Sequence, residues 1–236
     1  MKKFFCILLT GIAIFTGIFF FLNINVNTQQ GINYQSHTIK IPLYLKTLDF
    51  FDRHYNYKEL VKRIVKDSKT DEDKVMRIFK WTHKNIRKVP EGFPIIDDHV
   101  LHIIIRGYGL FDQSSDVFTT LCNYTGVDAF FTWVSTRDKS ERLALSFVKI
   151  NKKWTIFDPY NGVYFKKQDG GFSGIDEIIK GDWSIETVGN VRSKVQYHEY
   201  FQNLSSLNYE ELHKWSRANI QSPFNRLVYG IRKTIF

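Results

Sequence analysis

The sequence is poor in the residues that staple small domains. Only two of its 236 residues are cysteine, Cys6 and Cys122, and Cys6 lies in an apolar run near the N-terminus. This excludes a disulfide scaffold and a cysteine-rich zinc site, and leaves the redox compartment open. Proline (5), glycine (14) and methionine (2) are sparse, and no repeat or low-complexity tract is present, so the composition is not that of a disordered chain. Acid is in deficit: 24 Asp and Glu face 33 Lys and Arg, a net charge of +9. Such an excess favours anionic lipid, acidic polysaccharide or nucleic acid. No nucleic-acid motif accompanies it, so nucleic acid is not an expected partner. One more absence bears on chemistry: none of the seven histidines lies between His102 and His198.

What is abundant is apolar and aromatic. With 43% hydrophobic and 16% aromatic residues, the chain is long enough for one domain with a full core. Phe4 to Leu22 carries no charge and follows Lys2 and Lys3, while the next charge is Lys40. At about 1.5 Å per residue that run matches a hydrocarbon layer of roughly 30 Å, and no A-x-A-like cleavage site follows. Residues 1–22 are therefore expected to be a transmembrane signal anchor. The N-terminus would be cytoplasmic and the domain extracytoplasmic, as a single-pass protein. Residues 23–40 read as a polar linker, 41–190 as the folded domain, and 191–236 as a basic, amphipathic helical extension.

Within the domain, Asn56 is expected to start a helix with an apolar face at Leu60, Val61, Ile64 and Val65. Thr70 starts a second, with acids in its first turn and Val75, Ile78, Phe79, Thr82 and Ile86 at helical spacing. A short helix fits Asp98 to Ile105. After a glycine turn, Asp112 is placed to cap another that ends near Gly126. From Val127 the period changes to that of strands, two of them joined tightly at Asn151-Lys152. Helices first and an antiparallel sheet next make the expected class α+β.

Three stretches in this order carry a resemblance: D-K-V-M-R-I-F-K-W-T-H-K-N-I from Asp73, G-Y-G-L-F-D-Q from Gly107, and L-A-L-S-F-V-K-I-N-K-K-W-T-I-F-D-P from Leu143. Together they resemble the transglutaminase-like superfamily of papain-type folds, over about Asp71 to Pro159. The resemblance implies helices packed on an antiparallel sheet. It also implies a Cys thiolate at a helix N-terminus, a His base on a strand and an Asp that orients the His. Carried over by position, Phe111 stands where the Cys would be, Leu143 where the His would be, and Asp158 matches the Asp. Cys122 falls on the apolar side of its helix with Val117, Phe118 and Leu121, as a core residue would. The implied protein is a pseudoenzyme that binds or scaffolds at the cell envelope, with Asp112, Gln113, Asp158 and Tyr160 as ligand-binding candidates. Asp158 alternatively just caps its turn.

Rival readings stay open. His99 and His102 stand at i, i+3 beside Asp97 and Asp98, a pattern that suits a weak metal site or a hydrolase using these groups with Asp158. The plain alternative is a helix cap with two packed histidines. Ser114 and Ser115 are hydroxyls in a helix's first turn, without a G-x-S-x-G elbow. His83, His198 and His213 read as surface residues. No cofactor is expected. From Leu212 onward there are five Lys or Arg and no acid, with Phe224, Leu227, Val228, Ile231 and Ile235 at helical spacing. Such a helix lies on anionic lipid or polysaccharide, or docks on its own domain. Candidate partners are thus the membrane through the anchor, an envelope protein, a peptide or a glycan. A purely structural subunit of a membrane complex is the last alternative.

Overall fold

The computed structural model describes residues 2–97, 99–189 and 193–235. The first element, α1 (Lys2–Leu22), is a helix. Among the described residues, however, no helix is long and apolar enough to cross a membrane. The transmembrane anchor and the single-pass topology expected from the sequence are thereby overturned, and the extracytoplasmic placement loses the anchor on which it rested. Lys2 and Lys3 place two charges at the start of its apolar run. Thr10, Gly11, Thr16 and Gly17 dilute it further.

The stretch expected as a polar linker is a hairpin, β1 (Asn25–Ile32) against β2 (Gln35–Pro42), turning at Asn33 and Tyr34, which both take positive φ. Ten of its sixteen strand residues are exposed and most are polar, so sequence hydrophobicity does not set it apart. Backbone pairing holds it instead. Pro42 then starts α2 (Leu43–Ile64), which runs straight through Asn56, the expected helix start. Asn56 donates to the Asp52 carbonyl, and Arg53, Tyr57 and Val61 form the buried stripe.

The second helix, α3 (Asp71–Asn85), follows its sequence signals. The Thr70 hydroxyl accepts from the Asp73 N–H at 3.1 Å, and Val75, Ile78, Phe79 and Thr82 are buried. Next come β3 (Arg87–Lys88), β4 (Ile96–Asp97), α4 (Val100–Arg106), β5 (Tyr108–Gly109) and α5 (Phe111–Tyr124). β4 pairs with β1 and so ties the hairpin to the region before α5, while β3 pairs in parallel with β5.

The chain then builds one antiparallel sheet from β6 (Ala129–Ser135), β7 (Arg142–Ile150), β8 (Lys153–Asp158), β9 (Val163–Lys166) and β10 (Ser184–Thr187), in the order β10-β9-β8-β7-β6. β7 and β8 turn at Asn151 and Lys152, both at positive φ, the geometry that a two-residue hairpin needs. Side chains alternate across the sheet, and each face has its own core. On one face α5 and α3 pack, and the rings of Phe79, Phe118 and Phe157 lie 5.2 to 5.6 Å apart. Each of these buried rings contributes about 1.5–3 kcal/mol.

The other face is covered by α6 (Ile175–Ile179), α7 (Tyr197–Phe201) and the turn at Leu204, whose apolar side chains join Phe130, Leu145, Phe147 and Ile156. The residues from Tyr197 to Leu204 thus belong to this core. α8 (Tyr209–Trp215) is capped by Asn208, and α9 (Pro223–Ile235) leaves Phe224, Leu227 and Ile231 exposed. The result is the α+β arrangement expected, without the transmembrane helix.

Candidate functional site

The start of α5 is assembled from backbone and amide groups. Gly107 ends α4 in the left-handed region (φ 71°), and Gly109 leaves the gap through which Gln113 folds back, since a Cβ there would sit 3.0 Å from Gln113. Gln113 Oε1 accepts from the Leu110 N–H at 3.1 Å and from Arg106 Nη2 at 3.2 Å. Its Nε2 donates to the Ile96 carbonyl at 2.6 Å. Gln113, a ligand-binding candidate, is buried and holds the turn together. Leu110 is the N-cap, not Asp112; Asp112 sits in the first turn, where its carboxylate accepts from the Gln113 N–H at 2.9 Å. Burial raises the Asp112 pKa, partly offset by that N–H.

Phe111 turns its ring onto Trp133 (centroids 5.1 Å apart, 88°) and Tyr160 (6.1 Å, 87°). Arg142 lies over the Trp133 ring at 4.9 Å and Lys88 over Tyr160 at 4.9 Å. The corner is therefore one of aromatic faces and cations, worth about 0.5–1 kcal/mol per exposed cation–π contact.

Pleat parity separates the positions that the resemblance groups together. Trp133 pairs with Ala144 on the α5 face of the sheet. Leu143 and Asp158 belong to the opposite face: Leu143 packs in the second core, and Asp158, 1% exposed, accepts from Tyr197 Oη at 2.8 Å. Asn161 adds its N–H (3.1 Å) to one carboxylate oxygen and its Nδ2 (2.8 Å) to the other, closing the β8–β9 turn. Burial still outweighs these donors and raises the Asp158 pKa. Leu143 and Asp158 thus face away from the side of the sheet on which Phe111 meets Trp133. Cys122 is fully buried, and burial pushes its thiol pKa up. Ser114 and Ser115 are also buried.

His83 is less peripheral than the sequence suggests. Its Nδ1–H donates to the Pro159 carbonyl at 3.0 Å, and its ring fills the space over Gly162, where a Cβ would come within 2.8 Å. Gly162 takes φ 67°, so the close approach and the turn both require glycine.

The rival constellation is only partly assembled. His99 is the N-cap of α4, its ring 5.9 Å from that of His102. Asp98 lies outside the described residues. Asp97 stands 3.6 Å from Arg217, and among the described residues no three His, Cys, Asp or Glu side chains are placed to hold a metal. Asp97, His99 and Asp112 line one cavity of about 620 Å³, which neither His102 nor Asp158 reaches. The same cavity exposes two arginines that sequence reasoning missed, Arg53 and Arg217. Behind it Arg217 Nε meets Asp116 Oδ2 at 3.1 Å. Burial, then the nearby Arg53 and Arg217, hold the His99 pKa down at about 4.

Residues 58–168, just under half of the chain, match the model of the transglutaminase-like superfamily. Among solved structures, the chain is similar to "a Putative Cysteine Protease from Cytophaga hutchinsonii", at 16% identity over 58% of this chain and 48% of that one, with a TM-score of 0.39. It is also similar to a "putative protease from Parabacteroides distasonis", at 12% identity over 56% of this chain and 35% of that one (TM-score 0.37). A third is a structure described as "a TGase", at 14% identity over 56% of this chain and 43% of that one (TM-score 0.36). Each match thus spans less than half of the solved chain. No curated protein matches the sequence.

Proposed function

We propose that the transglutaminase-like domain of this chain works by holding a ligand or partner, and not by thiol acyl transfer. Acyl transfer by that route needs a thiol at the helix start, within hydrogen-bond reach of a base. The observation that carries the reading is the start of α5, where the first helical side chain is Phe111, packed edge-on against Trp133 and Tyr160. Cys122 is buried about three turns further along the helix, where its thiolate is disfavoured. Asp158 is saturated by Tyr197 and Asn161 on the other face of the sheet. His83 donates to a backbone carbonyl. The rings of Trp133 and Tyr160, each under a cation, are suited to stacking a sugar ring or a peptide side chain.

The test is an acyl-transfer assay of the purified chain, with a peptide amide as donor and a primary amine as acceptor. Product formation should equal that of buffer alone. Turnover above buffer that falls in Asp158→Ala or Cys122→Ser would sink the reading.

A further inference from the structure

The cavity of about 620 Å³ lies between the β1–β2 hairpin, α2, the start of α5 and the segment from Arg217 to Arg226. Its volume is in the range of small-molecule sites, roughly 300–1,000 Å³. Two polar groups on its wall lack partners. Arg53, only 9% exposed, has its guanidinium 6.0 Å from the Phe50 ring centroid, and its buried Nε–H finds no acceptor. Among the described residues the Arg53 side chain makes no hydrogen bond or ion pair. A guanidinium stays charged when buried, and Asp49 and Asp52 offset its desolvation only in part, which leaves room for a bound anion. His99 is the second group. Its imidazole is half-buried and neutral, and it makes no side-chain hydrogen bond among the described residues.

The other charges on the wall set limits on the ligand. Arg217 is already engaged by Asp116 and Asp97, whereas Arg226 is exposed. Asp97 and Asp112 also line the space and repel a dense polyanion. We propose that this cavity binds a small molecule through a single carboxylate or phosphate group set between Arg53 and His99. The proposal deepens the binding role inferred above and rests on it only in that the ligand is held and not turned over. Its failure is read separately, because the acyl-transfer assay does not report on this cavity.

The experiment is isothermal titration of the full chain with inorganic phosphate, N-acetylglycine and the neutral N-acetylglycinamide. One or both anions should bind saturably and the amide should not; which anion binds distinguishes a phosphate head from a carboxylate. In Arg53→Met, binding should weaken at least about tenfold, as expected for loss of a charge-assisted hydrogen bond. Ser36→Trp, at an exposed hairpin position on the rim, should fill the space and abolish binding without touching the core. Binding of neither anion, equal binding of the amide, or undiminished binding by folded Arg53→Met overturns the assignment. Should Arg53→Met fail to fold, undiminished binding by Ser36→Trp overturns it instead.

Discussion

Replacing Arg217 with methionine isolates the most consequential charge pair in the protein. Asp116 is 2% exposed within α5, and its Oδ2 lies 3.1 Å from Arg217 Nε. Burial holds the Asp116 pKa up at about 6, even though Arg217 pulls it down. Removing the guanidinium leaves a buried carboxylate with its main counter-charge gone, a change that costs about 3–5 kcal/mol where such pairs are broken. That is a large share of the roughly 5–15 kcal/mol that holds a domain together. The cost depends on pH with a definite sign. An unfolded aspartate titrates near 3.9, so between about 3.9 and the native pKa the folded state binds more protons than the unfolded state. Stability therefore falls as pH rises through that window, and the window widens upward once Arg217 is gone. Arg217→Met should lie closest to wild type near pH 5 and lose most by about pH 7.5, in urea denaturation followed by circular dichroism. The double variant Asp116→Leu/Arg217→Met removes both charges and should return to within about 1 kcal/mol of wild type. Asp97→Asn, which removes only an exposed partner 3.6 Å from Arg217, should cost less than about 1 kcal/mol. A cost for Arg217→Met below about 1 kcal/mol at pH 7.5, or one equal at both pH values, would refute the reasoning.

Three further outcomes follow from the packing. Phe111→Ala loses two edge-on ring contacts at a half-buried position and should cost about 1–3 kcal/mol, seen as a lower urea midpoint. In a Cys6→Ser background, Cys122 should resist a water-soluble disulfide reagent in the folded protein and react only as fast as the protein opens; rapid native labelling would contradict its burial. Tyr197→Phe removes one of three donors to the buried Asp158 carboxylate and should cost about 1–3 kcal/mol, whereas an unchanged urea midpoint would show that Asn161 alone satisfies it.

The legible parts of the fold are those where two independent signals coincide. In α3 the Thr70 cap, the acids that follow it and the apolar spacing all point to one helix, and the structure has it. In β7–β8, alternation and a two-residue turn agree, and both turn residues take the positive φ required. The β1–β2 hairpin carried no such agreement: its strands are polar and mostly exposed, so nothing in their hydrophobicity set them apart from a tether. The apolar run in α1 misled in the opposite direction, because one strong signal, low charge, stood in for length and polarity together.

The site shows the same division. Phe111 heading α5 followed from position alone, but which face of the sheet each strand residue occupies depends on register. Leu143 and Asp158 sit at matching offsets along the chain yet turn toward Tyr197, while Ala144 pairs with Trp133, against which Phe111 packs. The arginines were harder still. Starting α2 at Asn56 left Arg53 outside any helix; with the helix begun at Leu43, Phe50, Arg53, Tyr57 and Val61 fall three or four residues apart, and a cation stands on the buried stripe. Asp116 is its counterpart in α5, an acid directly before Val117 and Phe118. A charge on an apolar stripe has either a partner far away in sequence or a vacancy to be filled from outside. Asp116 found Arg217, 101 residues on; Arg53 makes no hydrogen bond or ion pair among the described residues, and that difference is what sets the cavity apart from the solvated surface.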